Sequence, residues 1–77
     1  MNQERKTKKY YEIIRKNIKK IRLMKNISEK ELSLRINASR DYINRVEKNK
    51  VNPSLEYLFR ICDELDISFI ELLKEEY

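Results

Sequence analysis

Apolar residues recur along this chain at three- and four-residue steps, in short runs separated by polar ones. Ile14, Ile18 and Ile21, with Tyr11 one turn earlier, form a stripe that predicts a first helix from about Tyr10 or Tyr11 to Lys25. Leu32 and Ile36 define a second helix of only two turns. Ile43 and Val46, three apart on one face, anchor a third. Leu55, Leu58, Ile61, Cys62 and Leu65 face inward from a fourth, and a fifth short helix begins after Ser68 and ends near Glu76. Five short helices joined by turns leave no place for a sheet. The expected fold is all-α, a compact bundle of about five short helices. Residues 1–9 are basic and lack apolar periodicity, so they are expected to form a flexible N-terminal arm ahead of a single domain over residues 10–77.

The polar positions supply stop and start signals. Glycine is absent, and the stops fall instead on Asn26, Asn37, Asn49 and Asp66, residue types that tolerate a left-handed backbone. Two residues after Asn26, Asn37 and Asp66 stand Ser28, Ser39 and Ser68, and Ser54 follows Pro53; each serine is placed to cap the next helix. At Ser28 the signal is complete: Glu31 stands where its carboxylate can reach back to the cap amide, and Ile27 and Leu32 occupy the staple positions. Ile67-Ser68-x-x-Glu71-Leu72 repeats it. The helix between Ser28 and Asn37 is too short to be stable alone, so packing must hold it.

The stop at Asn37 and restart at Ser39 join the second and third helices by a tight turn, the outline of a helix-turn-helix. Such a unit lays its first helix across a phosphate backbone and presents the N-terminal turns of its second to the major groove. The third helix carries Arg40, Asp41, Asn44, Arg45 and Lys48 on its outward face. Arg40 or Arg45 can grip the acceptor edge of guanine at two points, and Asn44 can pair with adenine. Asp41 can accept from the cytosine amine or orient a neighbouring arginine. Arg45 either pairs with Asp41 four residues earlier or reaches the groove. Lys48 and Lys50 are better placed for phosphate, and Tyr42 for a sugar-phosphate edge or a thymine methyl.

Charge strengthens this reading. Residues 1–25 carry ten Lys/Arg against two acids, net +8; residues 26–50 carry six against four, net +2; residues 51–77 carry two against seven, net −5. A basic front and an acidic back can attract and orient a phosphate backbone. Composition also excludes other classes. Without histidine and with a single cysteine, neither a zinc site nor an internal disulfide is expected, and Cys62 reads as a buried thiol in its periodic run. There is no glycine-rich phosphate loop, and the acids show no catalytic partner pattern, so no enzyme, metal or cofactor is expected. No apolar run approaches a membrane span or signal-peptide core, which leads us to expect a soluble cytoplasmic, nucleoid-associated protein with no membrane partner and no small-molecule effector.

Ile21-Arg22, Ile27-Ser28-x-x-Glu31-Leu32-Ser33, Ser39-Arg40-Asp41-Tyr42-Ile43, Val46-Glu47 and Pro53-Ser54-Leu55 closely resemble the Cro/C1-type, or XRE-like, helix-turn-helix family, from about Ile18 to Leu73. The resemblance implies a lambda-repressor-like DNA-binding domain with its reading unit in the second and third helices. It implies a bacterial or phage transcriptional regulator, commonly a repressor, that binds double-stranded DNA at two-fold operators as a dimer. It carries base reading onto Arg40, Asp41 and Arg45, and phosphate contact onto Ser39, Lys48 and the start of the second helix at Ser28. It also implies an ion pair between Arg22 and Glu47. The sequence departs from the family's pattern at Asn26, Asn37 and Asn49, where glycine is usual, at Ser33, where alanine is usual, and at Glu29, where glutamine is usual.

Glu29 and Asp41 place negative charge where phosphate and bases would approach. With the acidic C-terminal helix they motivate a second reading: a protein-interaction module, for example an antitoxin-like partner-binding protein, that keeps the regulator fold with weak or lost DNA binding. In either case the last helix has more apolar surface than one stripe requires, and Phe69, Ile70 and Leu73 are its candidate dimer surface.

Overall fold

The computed structural model describes residues 3–75 and contains five helices among them: α1 (Gln3–Met24), α2 (Glu29–Arg35), α3 (Tyr42–Glu47), α4 (Leu55–Leu65) and α5 (Phe69–Leu72). The stripes read from the sequence meet in one core. Ile18, Leu32, Ile43, Val46, Ile61, Leu65 and Leu72 are fully enclosed there, with Cys62 beside them. Tyr11 packs against its margin and donates its hydroxyl hydrogen to the Pro53 carbonyl at 3.0 Å, tying α1 to the link before α4.

The four stops share one geometry. Asn26, Asn37, Asn49 and Asp66 have φ of 59°, 61°, 61° and 55°. Around each, the amide of the next residue returns to the carbonyl five positions back: Ile27 to Arg22 (3.0 Å), Ala38 to Ser33 (2.9 Å), Lys50 to Arg45 (2.8 Å) and Ile67 to Cys62 (3.0 Å). The stop residue's own amide reaches back three, as Asn37 does to Leu34. This is the Schellman closure, which satisfies the last carbonyls of a helix and requires a left-handed residue. Asparagine and aspartate tolerate that backbone better than other residues with a Cβ.

Several boundaries differ from expectation. α1 begins at Gln3 rather than at Tyr10 or Tyr11, so the stretch expected as an arm is helical from Gln3 onward; Met1 and Asn2 lie outside the described residues. Apolar periodicity marks only where a helix touches a core. Gln, Glu, Lys and Arg favour helix, and extending an existing helix avoids the cost of nucleation. α5 ends at Leu72, short of Glu76, which also lies outside the described residues. Its end is held by buried Asn17, whose Nδ2 donates to the carbonyls of Leu72 (2.7 Å) and Lys74 (2.6 Å).

Leu55, expected inward, is 57% exposed. It is the first residue of α4, and a stripe fixes the direction of a side chain without saying how far the facing layer extends.

Ser28, Ser54 and Ser68 accept from the amides of Glu31, Tyr57 and Glu71. The reciprocal half of the capping box closes only at Ser68, whose amide donates to Glu71. At Ser28 the Glu31 carboxylate instead pairs with Arg35, one turn on, at 2.6 Å.

Candidate nucleic-acid interface

The unit α2–turn–α3 is fixed by a bond the sequence did not suggest. Ser33, fully buried where α2 and α3 meet, donates its hydroxyl hydrogen to the Glu29 carbonyl at 2.8 Å and accepts the Ile43 amide at 2.9 Å. It therefore does for α3 what Ser39 was expected to do. Ser39 caps no amide; its hydroxyl donates to Asp41 Oδ1 at 3.1 Å, and its carbonyl takes the Tyr42 amide in a tight turn. With the Ile43 amide already satisfied by Ser33, the Ser39 oxygen has no amide to accept from there, and its hydrogen goes to the charged acceptor within reach, the Asp41 carboxylate. Arg40 and Asp41 consequently stand in the turn leading into α3, and the helix proper begins at Tyr42.

A second tie joins α1 to α3. Arg22 Nε and Nη2 donate to Glu47 Oε2 and Oε1 at 2.8 and 2.9 Å, a two-point pair with both side chains more than nine-tenths buried, and Nη1 donates to the Ile27 carbonyl at 2.9 Å. Hydrogen bonding to Glu47 raises the Arg22 pKa. Burial pushes the Glu47 carboxyl up, and the nearby Glu29 carboxylate adds to the rise while Arg22 opposes it. The pair is thus held against the desolvation of its acid, the balance expected of a buried ion pair.

Glu29 joins this network rather than standing apart. Its Oε1 accepts from Asn44 Nδ2 at 3.0 Å, so the first turn of α2 is bonded to the middle of α3. That hydrogen bond, with help from Arg22 and Lys48, lowers the Glu29 pKa. The negative charge singled out in the sequence is half-buried and engaged with α3.

Ser28, Ser39, Arg40, Asp41, Arg45, Lys48 and Lys50 are exposed. Asn44 is half-buried on Glu29. Among the described residues no ion pair joins Arg45 to Asp41, which takes the Ser39 hydroxyl instead. Tyr42 is also half-buried, its ring 5.0 Å from that of Tyr57, and burial raises its hydroxyl pKa. The structure adds cations the sequence reading did not name. In a shallow groove that also has Glu12 and Glu47 on its wall, Lys48 and Asn49 at the end of α3 lie with three cations of α1, Arg15, Lys16 and Lys19. Their i, i+1, i+4 spacing on one face of a helix was the available signal, but which neighbour that face met depended on the fold.

The residues expected as a dimer surface divide. Ile70 is 75% exposed, whereas Phe69 and Leu73 are half-buried. Phe69 meets exposed Phe59 edge-on, ring centres 5.5 Å apart, which extends the apolar surface onto α4. Among the described residues no group of three or more His, Cys, Asp or Glu side chains could hold a metal ion, and no helix is long and apolar enough to cross a membrane.

A Helix-turn-helix family model matches residues 18–72, which span α2, the turn and α3 together with most of the core. The chain belongs to the helix-turn-helix family, of the Cro/C1 type. It therefore has the fold of non-catalytic DNA-binding regulators. The crystal structure of a hypothetical transcription factor, NHTF, from Neisseria is similar to it with a TM-score of 0.79 and 23% sequence identity, over 84% of this chain and 75% of that one. This likeness supports the lambda-repressor-like five-helix fold. No curated protein matches the sequence.

Proposed function

We propose that this chain is a sequence-specific regulator of transcription, a repressor that binds double-stranded DNA inside the cell at the nucleoid. The observation that carries the reading is α3 itself: a short helix held rigidly by Ser33 and Arg22, with Arg40, Arg45 and Lys48 exposed around it. Arg40, Asp41, Asn44 and Arg45 read bases. Ser28, Ser39, Lys48, Lys50 and the exposed part of Tyr42 meet the sugar-phosphate backbone, with Arg15 and Lys19 extending that contact along α1. Two copies joined through Phe69, Ile70 and Leu73, with Phe59 at the margin, would address a two-fold operator with half-sites roughly 34 Å apart.

Selection from a randomised duplex library, followed by binding of the selected site across a salt series, tests this. A defined two-fold site bound more weakly as salt rises is the expected result. Negligible binding to every duplex at low salt would sink it. The second reading, a partner-binding module, is favoured by exposed Asp41 and by the apolar surface around Ile70. It predicts a stable protein complex that covers α3, and no DNA binding once the partner is removed.

A further inference from the structure

We infer that Glu29 sets the polarity with which Asn44 reads a base pair, so that adenine is accepted on one strand and refused on the other. This rests on the DNA-reading function proposed above. Asn44 Nδ2 donates to Glu29 Oε1 at 3.0 Å. An ionised carboxylate only accepts hydrogen bonds, whereas an asparagine amide has a donating and an accepting end. Turning the Asn44 amide over would set its oxygen against the carboxylate oxygen, so one orientation is enforced.

The holder is itself held. The Glu29 carbonyl takes the Ser33 hydroxyl, and Ser33 takes the amide of Ile43, the neighbour of Asn44. The backbones that carry the carboxylate and the amide are therefore fixed to one frame across the two helices, and the bond between the two side chains closes it. One Nδ2 hydrogen is used by Glu29; the other, with Oδ1, remains available to a ligand. These match the N7 acceptor and N6 donor of adenine in the major groove. An asparagine without a holder can present this pair in either order, because its terminal torsion is roughly two-fold. It would then tolerate A·T and T·A alike. Held by an acceptor-only partner, it presents one order. Glu29 is thus a positioning residue, and the glutamate in place of the family's usual glutamine acquires a function beyond repelling phosphate.

Library selection with the natural chain, Glu29→Gln and Asn44→Ala tests the inference, with melting temperatures confirming that each variant is folded. The natural chain is expected to select adenine on a fixed strand at one position of each half-site, and inverting that pair should weaken binding about ten-fold. Asn44→Ala should erase the preference at that position alone. Glu29→Gln, which can donate or accept, should reduce the inversion penalty to about two-fold while leaving the other positions unchanged. If Glu29→Gln instead strengthens binding to all sequences equally and leaves the inversion penalty intact, Glu29 acts only through its charge and the inference fails. It also fails if the two variants alter different positions, or if Asn44→Ala alters none. A natural chain that selects no site overturns the DNA-reading function itself and the inference with it. A well-defined natural site that is insensitive to both variants overturns the inference alone.

Discussion

The Ser33 hydroxyl accepts the backbone amide of Ile43 at 2.9 Å while donating to the Glu29 carbonyl one turn back in its own helix. One buried oxygen thus sets the start of α3 against α2. Ser33→Ala would leave the Ile43 amide buried and unpaired, at a cost of about 1–3 kcal/mol. The expected outcome is a lower midpoint in denaturant unfolding with an unchanged slope. An unchanged midpoint would show that Ser39 or water takes the amide over.

Substitutions in the Arg22–Glu47 pair should be non-additive. Glu47→Leu alone strands a buried guanidinium and should cost about 3–5 kcal/mol, and Arg22→Met alone a similar amount. The double variant should be less destabilised than either single one, because no buried charge is left unpaired. Urea unfolding of the four proteins in a double-mutant cycle measures this, and simple additivity would rule out the coupling.

The left-handed stops predict opposite effects of two small substitutions. At Asn37, φ 61°, replacement by glycine should be neutral or stabilising. Replacement by alanine should cost about 1–2 kcal/mol, since a Cβ without a compensating polar side chain is disfavoured there. For a chain of this size 1 kcal/mol moves the thermal midpoint by about 4–8 °C. Equal midpoints for the two variants would contradict the assignment.

Burial pushes the Cys62 thiol up to about 11 from an ordinary 9.0. The folded state therefore keeps its proton where the unfolded chain gives it up. The stabilisation is fully present below pH 9 and is lost as pH rises through about 11. The fall in stability between pH 8 and pH 11 should be steeper for the natural chain than for Cys62→Ala, by up to about 3 kcal/mol. At pH 8 a thiol reagent should label Cys62 only as fast as the protein unfolds. Rapid labelling of the folded protein would refute the burial argument.

DNA contacts should separate by what each substitution does to specificity. Arg40→Ala should relax base preference at one position, whereas Lys48→Ala and Arg15→Ala should weaken binding to all sequences about equally and lower the salt slope by about one each. Binding of the selected site and its single-pair variants at two salt concentrations distinguishes these. A position-specific effect from Lys48→Ala would move it into the base-reading set.

The sequence was sufficient wherever a local rule acts through a few neighbouring residues. The inward faces of Ile14, Ile18 and Ile21, the left-handed stops at Asn26, Asn37, Asn49 and Asp66, and the caps at Ser28, Ser54 and Ser68 all follow from spacing and side-chain type. The pairing of Arg22 with Glu47 was visible only through family resemblance, because nothing local links residues 25 positions apart.

Tertiary structure decided what depended on which surface met which. It gave the α3 amide to Ser33 rather than Ser39, made Asn17, which no motif in the sequence marks, the partner of the Leu72 and Lys74 carbonyls, and left Leu55 exposed beyond the edge of the core. It also brought Glu29 onto Asn44. The physical reason is common to these cases: a buried polar group must find a partner, and residues distant along the chain become candidates only after hydrophobic packing has brought them together.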